Sequence, residues 1–315
     1  MEKIRLGISS CLLGENVRYD GGHRHDRFLT DTLGQYVEYI PVCPEVGCGL
    51  PVPREAMHLE GDPDSPRLMT IRTRQDMTDR MQAWSGKRVK ELEKDGLCGF
   101  IFKSDSPSSG MERVKVYNEN GIPVKKGVGM FARTFMKHFP FLPTEDDGRL
   151  NDPILRENFI QRIFVFKKWR EMMMGKQGRG RLVDFHARHK LLILSHSPVH
   201  YRLMGRLVAK ADELPIKDLY GRYQSILMEA LLAKATPKKN ANVLMHMMGY
   251  FKKELTSGEK QELLDLINNY REGRFPLIVP VTLIRHYVRK YDQPYLKEQV
   301  YLNPHPLELQ LRNHV

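Results

Sequence analysis

The sequence predicts an α/β domain built on a three-layer, mostly parallel sheet, followed by an all-α domain, and three observations carry that expectation. Short apolar runs alternate with helical patterns through the first half of the chain, as in strand–helix repeats. Beyond about residue 184 the apolar residues recur at helical spacing and strand-like runs disappear. Charge divides near the middle of the chain: residues 1–150 hold 22 Lys plus Arg against 22 Asp plus Glu, while the rest hold 28 against 16, which puts the whole formal +12 in the second half. The predicted organisation is a first domain over 1–172, a linker over 173–183 and a helical, basic domain over 184–315.

Taken in order, Ile4 to Ser9 reads as a strand, Arg27 to Tyr36 as a helix and Val37 to Val42 as a second strand. Leu68 to Ile71 reads as a short strand, Gln75 to Lys94 as a helix, Gly99 to Lys103 as an apolar strand and Val114 to Tyr117 as another. Helices over 127–138 and 153–173 complete the domain. The run MMMGKQGRGR loses periodicity and gains glycine and charge, as linkers do. In the second half, Ile216, Leu219, Tyr220, Tyr223, Ile226, Leu227 and Ala230 mark one helix. Thr236-Pro237 supplies an N-cap with proline at the first helical position, and Val243, Leu244, Met247, Met248 and Phe251 stripe the next helix. These stripes predict core.

A chain of 315 residues is about right for two domains, each able to bury a core. No apolar run approaches the roughly 20 residues needed to cross a bilayer, and MEKIRLGISS lacks the apolar stretch of a signal peptide, so no membrane partner and a cytoplasmic location are expected. In a reducing compartment four cysteines point to metal binding, catalysis or inert burial rather than disulfides. A basic half joined to a neutral half suggests a polyanion-binding module.

Ligands of open α/β sheets sit beyond the carboxyl ends of the strands, and the unusual residues lie there. SSCLLGENVRYDGG follows the first strand and brings Cys11. PVCPEVGCGL follows the second and brings Cys43, Glu45 and Cys48, and SDSPSSG follows GFIFK. Gly47, Gly49 and Gly110 would let backbone approach a bulky ligand. Cys98 opens the GFIFK strand, roughly 20 Å from the loop at 104 at about 3.3 Å per residue, and is expected in the core. Three remaining thiols are an odd count for structural zinc, which wants four closed positions, and suit a cubane with one open iron. Spacing alone leaves a redox site, a zinc site or two buried residues and a bystander open.

SSCLLGENVRYDGG, VCPEVGCGLPVPRE and KSDSPSSGMERVKVY resemble, in order, the three signature segments of the thiouracil desulfidase domain family. The helical half, with FHARHKLLILSHSP and TPKKNANVLMHMMGYFKKEL, is similar to the companion domain of two-domain members implicated in removing sulfur from 4-thiouridine in tRNA. The resemblance implies a 4Fe-4S cluster held by three cysteines beside a catalytic glutamate and serine. By position these are Cys11 and Cys43, Glu45 and Ser106. The family's third cysteine position is held here by Ser109, a poor soft-metal ligand, and Cys48 is expected as its relocated replacement.

The implied reaction has Glu45 as general base on a water that attacks the thiocarbonyl carbon, with Ser106 donating a hydrogen bond or relaying a proton. Arg18, Asp20, His23 and Arg24 in the Val17–Arg27 loop, with Ser104, Ser108 and Ser109, are the candidate substrate contacts; His25 and Arg27 lie in the same loop. In the basic half, Arg202, Arg206, Lys210, Lys238, Lys239, Lys252 and Lys253 are candidate phosphate contacts to tRNA. His186, His189, His196 and His200 have no carboxylate partner at metal spacing and read as core or surface residues. The rival readings are a desulfidase for free thiouracil or its nucleoside, and a non-enzymatic RNA-binding protein with a zinc or reduced-thiol site. Oligomeric state is not legible.

Overall fold

The computed structural model describes residues 3–314. Its strands, in chain order, are β1 (Ile4–Ser9), β2 (Val37–Val42), β3 (Met57–Glu60), β4 (Arg67–Thr70), β5 (Gly99–Phe102), β6 (Val114–Tyr117), β7 (Pro123–Gly127) and β8 (Thr144–Asp146). In place of one sheet they form two, each of four strands. The first, in the order β2-β1-β5-β8, is wholly parallel. The second, β4-β3-β6-β7, pairs β3 with β6 in parallel and is otherwise antiparallel.

Parallel strands covered on both faces are apolar throughout, which is why IRLGIS and GFIF stand out in the sequence. Gly7 in β1 is required by close approach: a Cβ there would lie 2.2 Å from the Phe100 ring of the neighbouring strand. The helices of this unit are one turn, α1 (Pro44–Gly47), then α2 (Thr78–Leu92) and α3 (Met130–His138). Phe131 and Phe135 of α3 pack against Phe100 and Phe102 of β5, with centroids 4.6 to 6.3 Å apart. A second core lies on the other sheet, where Leu59, Leu68, Val114 and Val116 meet Met77, Met81 and Met130.

The helix expected over 27–36 is a π turn (Phe28–Thr32) followed by a 3-10 turn (Leu33–Gln35). Thr30, Asp31, Thr32 and Gly34 are weak helix formers, and the Thr30 hydroxyl donates to the Asp26 carbonyl at 3.3 Å instead of leaving the turn regular.

The chain divides into compact units between Asp152 and Pro153, earlier than the expected boundary at 172. The helix over 153–174 carries the reason. It is α4 (Pro153–Met174), and its Phe159, Ile163 and Trp169 are buried; the Trp169 indole stacks on Tyr223 at 5.3 Å within the helical unit. The expected linker shrinks to residues 175–178, because α5 begins at once (Arg179–His196). There follow α6 (Pro198–Ala209), α7 (Ile216–Leu232), α8 (Pro237–Met248), α9 (Ser257–Arg271), α10 (Ile278–Lys290) and the single turn α11 (Pro294–Lys297). Thr236 caps α8 by accepting from the Lys239 amide, and Thr256 with Glu259 forms a capping box on α9. No helix among the described residues is long and apolar enough to cross a membrane.

Candidate active site

With the strand order β2-β1-β5-β8, connections leave β1 and β5 in opposite directions, and the loops beyond their carboxyl ends part to form a crevice. A cavity of about 340 Å³ lies there. It is lined by Cys11 after β1, by Cys43 and Glu45 after β2, and by Ser104, Ser106 and Ser108 after β5. The three loops the sequence singles out therefore meet.

Hydrogen bonds tie these loops to one another. The Lys103 amide donates to Ser9 Oγ at 2.9 Å, and the Ser104 amide to Asp147 Oδ1 at 2.6 Å, linking the ends of β1, β5 and β8. The Arg24 amide donates to the Cys11 carbonyl at 2.8 Å, which brings the Val17–Arg27 loop over the cavity. Arg18 and Arg24 line it, as does Tyr19. Asp20 does not: it is exposed and turns its own loop by accepting from the Gly22 amide at 3.0 Å. His23 is likewise exposed, its Nδ1 accepting from the His25 amide.

Glu45 sits at the N-terminal turn of α1, with its side chain nearly buried. Its Oε2 accepts from Arg54 Nε at 2.7 Å and again from Arg54 Nη2. Arg54 is itself buried, and the same Nη2 donates to the Val17 carbonyl at 2.8 Å. The other carboxylate oxygen, Oε1, accepts from Ser108 Oγ at 2.8 Å. Ser108 stands 3.0 Å from Ser106 Oγ, and Ser106 accepts from the amides of Ser108 and Ser109. With the Ser108 proton directed at Glu45, Ser106 must donate to Ser108. A line of hydroxyls thus runs Ser106 to Ser108 to Glu45. Sequence reasoning named Ser106 and Ser108 and missed Arg54, which holds the acid and is visible only as the arginine of VPRE, and Lys103, which lines the cavity and pairs with Asp147 at 3.0 Å.

The thiols separate. Cys11 and Cys43 line the cavity, and Cys43 Sγ lies 3.8 Å from the Val17 carbonyl. Burial pushes the Cys11 thiol up to about 11, with Lys103 pulling it the other way. Burial also raises Cys43, partly offset by the Val46 amide. Cys48 is elsewhere. Its thiol donates to the Glu45 carbonyl at 3.2 Å, and the residue belongs to the second sheet's core with Leu59, Leu68 and Met81. One helical turn separates Cys43 from Cys48 and sends them to different sides, so the structure does not bring Cys48, expected as third ligand, to the two cavity thiols. Ser109 is buried beside Ser108 but does not line the cavity. Among the described residues no group of three or more His, Cys, Asp or Glu is arranged to hold a metal. Cys98 is buried at the start of β5, where its position puts it.

The glycines expected to admit a ligand instead admit protein. A Cβ on Gly47 would lie 2.3 Å from the Trp84 indole, and one on Gly110 would lie 2.3 Å from Val114 and 2.8 Å from the Ser106 carbonyl.

Residues 6–147, which contain this whole site, match the family described as 2-thiouracil desulfurase, and residues 190–306 match the one described as protein of unknown function (DUF1722). Residues 6–147 thus belong to the 2-thiouracil desulfurase family. The second matched region is consistent with a two-domain member. Among relatives, the uncharacterized protein YbgA of Escherichia coli (strain K12) is 36% identical over 158 residues, 50% of this chain and 94% of its own length. Among solved structures, the 4Fe-4S-dependent thiouracil desulfidase TudS is 27% identical, covers 48% of this chain and 95% of its own, and superposes with a TM-score of 0.39.

The candidate RNA contacts of the helical unit scatter. Arg202, Arg206, Lys238, Lys252 and Lys253 are exposed. Lys210 is exposed and paired with Glu213 at 3.2 Å. Lys239 is structural: its Nζ donates to the carbonyls of His196 at 2.7 Å and Lys234 at 2.8 Å, at the ends of α5 and α7. His186, His189 and His196 are buried.

Proposed function

We propose that the α/β unit replaces the sulfur of a thiolated uracil base by oxygen, and that the base is 4-thiouridine in tRNA. The observation that carries this reading is the convergence of two thiols with the Ser106–Ser108–Glu45 line in one cavity, in a segment that matches the desulfurase family.

Water adds to the thiocarbonyl carbon, the carbon–sulfur bond breaks, and the products are the oxo base and hydrogen sulfide. No oxidant or reductant is consumed. Glu45 accepts the proton of the attacking water. Arg54 keeps that carboxylate oriented through two donors on one oxygen, and Ser108 with Ser106 returns a proton toward the departing sulfur. Arg18 and Arg24 hold the phosphate that flanks the base.

The resemblance implies a 4Fe-4S cluster on three cysteines, and TudS is named for its dependence on one. The donors of this chain do not fit that set. The cavity offers two thiols, the third cysteine of the loop lies in a core, and a serine stands at the family's third position. Cys11 and Cys43 are the soft donors available, and a soft metal would have to displace protons that burial holds on.

The test compares sulfide release from thiolated tRNA, from 4-thiouridine and from free thiouracil, using anaerobically prepared protein. Preference for the tRNA supports the full reading. Equal or faster release from the free base assigns the small-molecule reaction, and no release from any of the three contradicts desulfuration.

A further inference from the structure

The helical unit contains a second cavity, of about 540 Å³, within the range of about 300–1,000 Å³ typical of small-ligand sites. It is formed by residues of α4, α5 and the segment 297–303. One wall is aromatic and apolar: Phe185 and His189 stack with centroids 3.8 Å apart, and Met172 and Val300 lie beside them.

The charged residues around it are Lys168, Arg181, Arg188 and Lys297 against Asp184 and Glu298, an excess of two positive charges. Arg188 is loosely paired with Glu298 at 3.4 Å, and Lys297 with Asp292. Lys168 is partly buried and makes no ion pair or side-chain hydrogen bond among the described residues. Burial lowers its ammonium; Glu171 opposes this and Arg188 adds repulsion. A buried cation facing a second cation is a place where an anion gains twice.

Two acceptors at the same cavity are unsatisfied. His189 Nδ1 donates to the Phe185 carbonyl at 2.7 Å, so its Nε2 carries a lone pair, and that atom has no partner. Gln299 donates to the Ala187 carbonyl at 2.8 Å, and its Oε1 has none either. Each residue is at least nine-tenths buried. An unsatisfied buried acceptor carries a desolvation cost that a ligand N–H donor would recover.

We propose that this cavity is a nucleotide site, taking a phosphate at Lys168 and Arg188 and the single N–H of a uracil base at His189 Nε2 or Gln299 Oε1. None of these residues is among the basic side chains singled out by sequence, and the site stands whether or not the α/β unit removes sulfur. The phosphate can belong to a free mononucleotide or to a nucleotide within an RNA strand.

Calorimetric titration of the full chain with uridine monophosphate, with uridine and with a short single-stranded oligouridylate tests this. The monophosphate binds once per chain, uridine binds at least about tenfold more weakly, and Lys168→Gln weakens the monophosphate at least about tenfold. Arg188→Gln, at an exposed position that folding does not depend on, weakens it in the same direction. Saturation by the monophosphate identifies free nucleotide as a sufficient source; binding by the oligomer alone identifies RNA. Both outcomes support the site. It is overturned if neither ligand binds, or if both variants leave the affinities unchanged. Sulfide release is not read, so failure here leaves the desulfuration reading untouched.

Discussion

The two cavities are built from opposite materials. In the α/β unit, hydroxyls beside the thiols are held by a dense net of hydrogen bonds, and the Glu45 carboxylate among them has both oxygens engaged. In the helical unit, cations and acceptors surround a larger space, and several of them have no protein partner. The first arrangement fixes groups for a reaction; the second leaves groups available to a ligand. Satisfied polar networks are rigid, and preorganisation of this kind is what proton transfer needs. Unsatisfied groups cost stability unless something arrives to complete them.

The largest effect that sharpens this contrast is at Glu45. Glu45→Gln keeps the size and the Ser108 contact but removes the base, and sulfide release falls by about 10²–10⁴-fold while nucleotide binding by the helical unit stays as it is. A loss below tenfold would break the assignment. Next comes Arg54→Lys, which keeps the charge and loses the planar fork; kcat falls about tenfold with KM little changed, as expected of a residue that positions another. A change confined to KM would show instead that Arg54 holds substrate.

The contrast extends to pH. In the helical unit, burial lowers His186 to about 4 and His189 to about 3, so both are neutral when folded. Glu157 is buried too; burial raises it, but His305 at 4.0 Å and Arg312 Nε at 2.9 Å outweigh this and hold it down to about 2. All three have folded values below their unfolded ones, so their stabilisation is complete above about pH 6.5 and is lost as pH falls through 4 toward 2. The Glu157 share is roughly 3 kcal/mol at neutral pH. Thermal melts at pH 7, 5 and 3, followed by circular dichroism, therefore show a steep fall; a flat melting temperature between pH 7 and 4 contradicts the burial of these groups. The smallest effect is that of Cys48→Ala, about 1 kcal/mol from a small void in the second sheet's core.

The central strands of the parallel sheet are legible because they are buried. IRLGIS and VEYIPV match their observed strands to the residue, as does VKVY in the second sheet. MHLE, PVKKG and TED were missed because they are short and polar, with no apolar alternation to mark them. At the candidate site, proximity of loops to a sheet edge was legible from strand ends. The side on which each thiol falls was not, since Cys43 and Cys48 differ only by a helical turn. The second cavity was beyond reach of spacing altogether, because residues 168, 185–189 and 297–303 come together only through helix packing.

Iron binding offers one more comparison between thiol positions. Ser109→Cys restores a thiol at the family's third position, and anaerobic reconstitution should raise iron and acid-labile sulfide per chain above the wild-type content. No increase would mean that this position is too far from Cys11 and Cys43 to share a metal with them.

The central proposal is that Cys11 and Cys43 are the working thiols of the candidate site, while Cys48 is a core residue. Its most direct test is the rate of sulfide release from a thiolated uracil substrate by anaerobically prepared Cys43→Ala and Cys48→Ala proteins. Loss of at least about 100-fold in the first, with the second within about threefold of wild type, is the expected result; equal loss in both, with both variants folded, would contradict it.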